Sequence, residues 1–201
     1  MTNAETPPRV VGAAADLRLP RWIVIWLCIT AVIQTYDALF VILGPLSHIG
    51  GPLAGLWPGH LLYARFDHRY ANFDAFGTAQ SWANLAEVVV ALIAVALRAR
   101  FSGVILALIL CVATFWKTVL YFAVEVSGGL EMTRDALERG DFAGFFFIAV
   151  FPNLFWLAIP LTAIVVLARQ IARVGSTASA RIEVDHGGPA PTAAPRRTTV
   201  G

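Results

Sequence analysis

The sequence has little charge and almost no lysine. Only 14% of its 201 residues are charged, the net charge is +2, and Lys117 is the single lysine among 15 basic residues. Apolar residues make up 58% of the chain, and the mean hydropathy is +0.69. Soluble domains of this size are rarely so apolar, so the composition predicts an integral membrane protein. The small net charge gives no reason to expect a nucleic-acid partner.

Cysteine, signal sequences and internal repeats are also scarce or absent. Cys28 and Cys111 both fall in apolar runs, so we interpret them as buried small side chains rather than a disulfide. The sequence shows no metal-ligand spacing, and we expect neither a metal nor another cofactor.

The segment before Arg21 has no short apolar stretch with a cleavage site, which predicts that the first apolar run is a retained span. Without an internal repeat, a small alternating-access transporter is disfavoured.

Four apolar runs are long enough to cross a bilayer, because a helix rises about 1.5 Å per residue. They cover residues 22–44, 76–97, 102–126 and 144–168. The predicted fold class is therefore all-α: a polytopic membrane protein whose four transmembrane helices form one bundle.

The bundle should occupy residues 21–173, between two polar ends. Residues 1–20 and residues 174–201 are rich in polar residues, proline and glycine, and we expect both segments to be disordered.

The arginines indicate how the bundle is oriented. An even number of spans, here four, places both termini on the same side of the membrane. Seven arginines lie near the membrane ends on that side. The arginines on the opposite side are interleaved with acidic residues. The positive-inside rule then places both termini in the cytoplasm, in the endoplasmic reticulum membrane of a eukaryote or the plasma membrane of a bacterium. The seven are Arg9, Arg18, Arg21, Arg98, Arg100, Arg169 and Arg173.

Each predicted span carries polar side chains at helical spacing. Counted from the non-cytoplasmic ends, Asp37 lies about 10 Å deep, Lys117 and Asn153 about 13 Å, and Glu87 about 16 Å. A charge at mid-bilayer costs at least about 2.5–3.5 kcal/mol, so the charged residues should face the bundle interior. The polar sets are Thr30, Gln34 and Asp37; Gln80, Asn84 and Glu87; Thr114, Lys117, Tyr121 and Glu125; and Asn153 with Trp156.

Two interpretations of these residues stay open. Lys117 could form a structural ion pair with Asp37 or Glu87, and Asn153 could serve only to join helices. Alternatively, the residues line a water-poor pocket that opens to the non-cytoplasmic side. All four histidines lie outside the spans, so a proton relay within the membrane would run on the carboxylates, Lys117 or Tyr121.

Three local motifs, in this order and on four spans, resemble those of one family. The chain is similar over residues 22–170 to the emopamil-binding protein family, whose members carry the EXPERA domain and include the sterol Δ8–Δ7 isomerase. The loop motif is open to two interpretations of its own, as ordinary interface anchors or as a lid over the pocket mouth. The motifs are Tyr63-x-x-x-Asp67-x-Arg69-Tyr70 with Asp74, Val119-Leu120-Tyr121-Phe122 with Glu125, and Asn153-x-x-Trp156-x-x-x-Pro160.

The resemblance implies a four-helix bundle, often dimeric, with a sterol-sized cavity open toward the bilayer. It implies a proton-relayed shift of a double bond, in which an acid protonates an alkene and a base removes a neighbouring proton from the cation. Trp156 would hold the cation over its ring face, and Asn153 would position polar groups.

The acidic positions depart from the family pattern. Asp37 stands where the family has a glutamate, Ile33 where it has a histidine one turn away, and Ser81 where it has a second-span glutamate. Thr118 replaces an aspartate and is preceded by Lys117. Because an unpaired ammonium would oppose a carbocation, either Lys117 is paired or neutral, or the substrate differs.

The leading hypothesis is a membrane isomerase that moves a double bond of a sterol, steroid or terpenoid. Asp37 and Glu87 would be acid and base, with Trp156 and Asn153 completing the catalytic set. The alternative is a non-catalytic binding protein of the same fold for sterols or cationic amphiphiles. A homodimer is a possible assembly, and the expected partners are the substrate and the lipid bilayer. The expected substrate-binding residues are Gln34, Gln80, Asn84, Lys117, Tyr121 and Asp67.

Overall fold

The structure, a computed structural model, describes residues 17–186 and the side chains of residues 17–176. Regular structure among these residues is entirely helical, and four helices are long and apolar enough to cross a membrane. The predicted four-span, all-α membrane bundle is therefore confirmed. Residues 1–16 and 187–201, which make up most of the two segments expected to be disordered, lie outside the described residues.

The helix bounds match the first three predicted spans to within two residues, whereas the fourth helix extends well past the predicted end at residue 168. The first three spans are α1, α4 and α5, and the fourth is made of α7, a π-helical turn and α8, running from Phe142 to Ser176. The last helix continues past Arg173, where the bundle was expected to end, to His186. The helices are α1 Arg21–Ile42, α2 Pro58–Tyr63, α3 His68–Asn72, α4 Ala75–Ala96, α5 Phe101–Ser127, α6 Glu131–Glu138, α7 Phe142–Phe145, the π-helical turn Phe146–Val150 and α8 Phe151–His186.

Short polar residues and glycines define where the helices near the cavity begin and end. Asp67 caps α3 by accepting the backbone N–H of Arg69 at 2.8 Å. Asp74 caps α4 by accepting the N–H of Gly77 at 2.5 Å, which satisfies a donor that the first helical turn leaves free. Gly128 follows α5 and ends it.

An apolar core fills the end of the bundle where α1 begins and α4 meets α5, called here the terminal end. Its buried residues include Ile23 and Leu27 of α1, Ala94 of α4, Val104 of α5 and Leu167 of α8. Small side chains on α4 and α5 let the backbones approach closely, as is usual between membrane helices. This half of the bundle is therefore packed without a polar cluster among the described core residues.

The last residues of the expected N-terminal disordered segment belong to this core. Leu17 and Leu19 are buried against it, and the N–H of Leu19 donates to the carbonyl of Arg98 at 2.8 Å. Cys111 is buried as expected, whereas Cys28 is exposed on α1, so the prediction of burial is wrong for Cys28. The lipid-facing side of α1 is as apolar as its buried side, so hydropathy could not distinguish the two.

At the opposite end, called the loop end, the connection between α1 and α4 folds back over the bundle. We call its helical part, residues 58–72, the cap. Trp57 precedes the cap and is buried with Phe40 and Val41 of α1. Phe66 of the cap packs instead against α6 and α7, where Met132 and Phe145 are buried. Because the cap is fixed on both sides, it forms a defined wall above the spans.

A tight turn between α4 and α5 gives a test of this packing. A Cβ atom at Gly103 would lie 2.2 Å from the carbonyl oxygen of Leu97. Gly103→Ala should therefore lower the free energy of unfolding by about 1–3 kcal/mol, because the backbone has to shift. Thermal unfolding in detergent measures the effect. Gly55→Ala is the matched control, since a Cβ at Gly55 meets no atom within 4 Å, and equal melting temperatures for both variants would contradict the prediction.

Candidate functional site

A cavity of about 370 Å³ lies between the spans and the cap at the loop end. This volume falls in the range of small-molecule sites. Eight of the ten predicted site residues line it, whereas Glu87 and Asp67 do not. The eight are Gln34, Asp37, Gln80, Asn84, Lys117, Tyr121, Asn153 and Trp156.

The cavity lies where α1 and α8 face each other. The closest helix pairings are α1 with α4, α5 with α8 and α4 with α5, and no comparable pairing joins α1 to α8. Ile33 and Tyr36 line the cavity from α1, and Pro152 and Trp156 line it from α8. Ile33 and Tyr36 are also among the exposed apolar side chains of α1.

Asp37 is surrounded by neutral hydrogen-bond donors and one histidine. The Tyr70 hydroxyl donates to it, with both carboxyl oxygens at 2.9 Å, and the Asn84 amide donates to Oδ2 at 2.9 Å. His60 Nε2 lies 3.1 Å from Oδ1. The side chains of His60 and Asp37 are 18% and 23% exposed, and both line the cavity. The carboxyl group is thus oriented from three sides and still faces the cavity.

His60 is a residue that the sequence analysis missed. It lies outside the spans, and the proton relay was expected to run without a histidine, but the cap brings its ring to Asp37. The rings of Tyr36 and Phe40 contact His60, with centroids 4.9 Å and 5.2 Å away. His60 and Asp37 are 23 positions apart in the sequence, and they meet only because the loop folds back over the bundle. Helical periodicity does not predict how such a loop folds.

Lys117 is neutralised within the bundle. Its Nζ lies 2.8 Å from Glu87 Oε1 and donates to the Asn84 carbonyl oxygen. The other oxygen of Glu87 accepts from Gln34 Nε2 at 2.6 Å and from the Thr114 hydroxyl at 2.8 Å. Glu87 is therefore placed behind the cavity wall as the counter-ion of Lys117, and not where an acid or base would meet a ligand.

A second hydrogen-bond chain fastens the cap to α5 and α8. Tyr121 donates to Asp67 Oδ2 at 2.6 Å, so the Tyr63 hydroxyl, 2.9 Å from that of Tyr121, donates to Tyr121. Asn153 Nδ2 lies 3.2 Å from the Tyr63 oxygen and 2.7 Å from the Ala149 carbonyl, and donates to both. Asp67, fully buried, is thus an anchor of the cap rather than a residue of the cavity wall.

Arg69 forms the outer part of the wall. Its guanidinium lies over the rings of Tyr121 and Phe76, with centroids at 5.4 Å and 5.7 Å. Nη2 lies 3.4 Å from Glu125 Oε2, and the other oxygen of Glu125 accepts the Thr133 N–H at 3.2 Å. The loop motif therefore supplies wall residues as well as contacts to the spans.

Trp156 bounds the cavity toward the terminal end. Its ring contacts that of Trp26, with centroids 5.2 Å apart. Pro160, one turn later, is fully buried and has no N–H, so the carbonyl of Trp156 lacks its usual helical donor. The π-helical turn precedes Pro152 and Asn153, which both line the cavity. Such turns are frequent where a helix contributes to a site.

The charges of the site sum to an excess of carboxylate. Lys117 is matched by Glu87 and Arg69 by Glu125, and the ion-pair partner of Asp37 among the described residues is His60. Aromatic faces from Trp156 and Tyr36 complete the wall. Such a site suits a cation or a group that develops positive charge. Among the described residues, no cluster of three or more His, Cys, Asp or Glu side chains is arranged to hold a metal ion.

Burial shifts the pKa values of titratable side chains in the cap. It raises the pKa of Asp67, an effect that the hydrogen bond from Tyr121 and the charge of Arg69 only partly offset. It also raises the pKa values of Tyr63 and Tyr70, and the nearby carboxylates Asp67 and Asp37 add to this effect. Both tyrosines are therefore protonated donors at neutral pH.

The raised pKa of Asp67 predicts a pH dependence of stability. The folded protein holds this proton more tightly than the unfolded chain, so the stability from Asp67 is full below about pH 3.9 and is lost as pH rises through the higher folded pKa. Asp67→Asn removes this titration. The free energy of unfolding of the wild type, relative to that of Asp67→Asn, should therefore fall as the pH rises above about 4. Unfolding in detergent measures it, and a difference that grows with pH would contradict the assignment.

Comparison of the chain with protein-family models, with curated proteins and with solved structures finds no match.

Proposed function

We propose that the protein is a membrane isomerase that shifts a carbon–carbon double bond in a sterol, steroid or terpenoid through a cationic intermediate. The proposal includes membership of the EXPERA-type family, which the three sequence motifs support. The observation that carries it is the His60–Asp37 pair, which faces a largely apolar cavity opposite an aromatic wall.

The pair can both give and take a proton. Protonated His60 would donate the proton of Nε2, the nitrogen that faces Asp37, to one alkene carbon, and the cation would form on the neighbouring carbon. Asp37 would then remove a proton from a carbon next to the cation, which moves the double bond. Transfer of that proton across the 3.1 Å bond from Asp37 to His60 restores the starting state, so the cycle consumes no proton.

The other wall residues would stabilise the intermediate. Trp156 can present its ring face to the cation, and Asp37 is a carboxylate that lines the same cavity. Lys117 does not oppose the cation, because Glu87 lies 2.8 Å from its Nζ. The pairing that the isomerase hypothesis requires of Lys117 is thus present.

The same charge balance favours a second candidate function. A site with an unmatched carboxylate and aromatic walls also suits a cationic amphiphile, whose ammonium would pair with Asp37. A binding protein of this kind needs no proton transfer by His60. The two functions therefore differ in whether His60 is required.

Solvent deuterium distinguishes the two functions. Purified protein incubated in deuterated water with an 8(9)-unsaturated sterol or a terpenoid alkene should place deuterium on the carbon that is protonated. Asp37→Asn and His60→Gln should each lower label uptake by about 10²–10⁴-fold, because general acid–base groups typically contribute that much. Mass spectrometry of the recovered lipid measures the label.

Glu138→Gln is the matched control, since it converts an exposed carboxylate outside the cavity to an amide. It should leave label uptake unchanged. Label uptake that persists in both cavity variants would overturn the assigned roles, and binding of the lipid without any label would favour the binding protein.

Binding of an amine tests the charge of the cavity directly. A tertiary amine with a terpenoid tail should bind the wild type about tenfold or more tightly than it binds Asp37→Asn, because a buried charge loses its partner. The corresponding tertiary alcohol should bind both proteins alike. If the amine binds both proteins with the same affinity, Asp37 is not the counter-ion of the site.

A further inference from the structure

We propose that Lys117 is a covalent attachment site, at which its amine forms an imine with an apolar aldehyde. The site shares the cavity of the isomerase described above but uses different groups, Lys117 and Glu87 instead of His60 and Asp37. The inference therefore does not rest on the proposed function, and either one can fail without the other.

Lys117 is the only lysine of the chain, and it lines the ligand-sized cavity. Arginine accounts for the other 14 of the 15 Lys and Arg residues. The Lys117 side chain is 16% exposed. An arginine would form a structural ion pair with Glu87 at least as well, because its planar fork matches a carboxylate. A lysine adds a primary amine that can lose a proton and attack carbon. The one side-chain amine of this protein thus stands where a ligand would be bound.

The ammonium of Lys117 has more hydrogens than the protein has acceptors for it. Nζ lies 2.8 Å from Glu87 Oε1 and donates to the Asn84 carbonyl oxygen. An ammonium carries three hydrogens, so the third has no acceptor among the described residues. The cavity adjoins Lys117, and it is the space from which a carbonyl group would approach the nitrogen.

Glu87 is placed to take a proton from the amine and to return it. Gln34 Nε2, at 2.6 Å, and the Thr114 hydroxyl, at 2.8 Å, hold its other oxygen, Oε2, and leave Oε1 for Lys117. Transfer of one proton across the 2.8 Å contact gives a neutral amine, which is the nucleophilic form. Glu87 does not line the cavity, so it acts at the Lys117 nitrogen and not on the lipid chain.

The reaction balances with the groups that are present. After Nζ has given a proton to Glu87, it bonds to the aldehyde carbon, and a second proton of Nζ passes to the carbonyl oxygen. The product is a carbinolamine, whose hydroxyl is two bonds from Nζ. Glu87 returns its proton to this hydroxyl, and water leaves as the C=N bond forms. An ammonium and an aldehyde thus become a protonated imine and water, and the carboxylate of Glu87 remains beside the positive charge.

The shape and polarity of the site favour an aldehyde on a hydrocarbon chain. Ile33, Ile148, Pro152 and Trp156 give the cavity an apolar wall that suits such a chain. An aldehyde carbon carries a single carbon substituent, so it reaches a largely buried amine more easily than a ketone carbon does. The only group that leaves is water, so no activated acyl donor is needed.

Reductive trapping tests the site in the unmodified protein. Full-length wild type in detergent is incubated with geranial, a terpenoid aldehyde, and then reduced with sodium borohydride, which converts an imine to a stable secondary amine. Peptide mass spectrometry locates the label. We expect one geranyl group on the peptide that contains Lys117. Label on the amino terminus alone, or no label, overturns the inference.

Two cavity variants test the assigned roles. Lys117→Arg keeps the positive charge and should abolish the label, whereas geraniol, the corresponding alcohol, should bind this variant and the wild type alike. Glu87→Gln should slow adduct formation by about 10²-fold, because a general base is lost. An unchanged rate in Glu87→Gln would overturn the role of Glu87. If Lys117→Arg does not fold, the position of the label in the wild type still decides.

Arg98→Lys is the matched control, because it introduces an amine at an exposed position outside the cavity. Its label should appear about tenfold or more slowly than that of Lys117 in the same molecule, since only a bound aldehyde is held beside its amine. Equal rates would mean that geranial reacts with any amine, and would overturn the site. Label at Lys117 without deuterium uptake in the isomerase assay would support the imine site and contradict the isomerase, and the reverse result would do the opposite.

Discussion

The ion pair between Lys117 and Glu87 determines what the remaining polar residues can do. An unpaired charge inside a membrane bundle is costly, so the single lysine needs a carboxylate, and Glu87 lies 2.8 Å away to supply it. Gln34 and Thr114 occupy the other carboxyl oxygen. With Glu87 committed in this way, Asp37 is the carboxylate left facing the cavity. The difference between a structural acid and a candidate catalytic acid thus follows from one pairing.

The sequence predicts the spans well because each is a long uncharged run, and the bilayer fixes the length of such runs. It also predicts that Asp37, Glu87, Lys117 and Asn153 face inward, since exposure to lipid would be costly for each. The structure joins Asp37, Asn84 and Lys117 by direct hydrogen bonds. Hydropathy and helical spacing therefore suffice for the bundle and for most of the cavity wall.

The sequence could not predict contacts that depend on the path of a loop or on a shift of one helical turn. His60 belongs to a Gly- and Pro-rich connection, and only the folded cap brings it to Asp37. Glu87 lies one turn beyond Asn84, but that turn moves its carboxyl from the wall to a position behind it. Cys28 shows a further limit, because lipid-facing and core-facing positions have the same polarity in a membrane helix.

The cap both closes the cavity and contributes His60, Tyr63, Arg69 and Tyr70 to its wall. These side chains reach their partners on the spans only while the cap rests on α5 and α8. A displacement of the cap away from α1 would separate the His60 imidazole from the Asp37 carboxylate. Under the proposed function, proton transfer therefore depends on the cap staying in the position that joins His60 to Asp37.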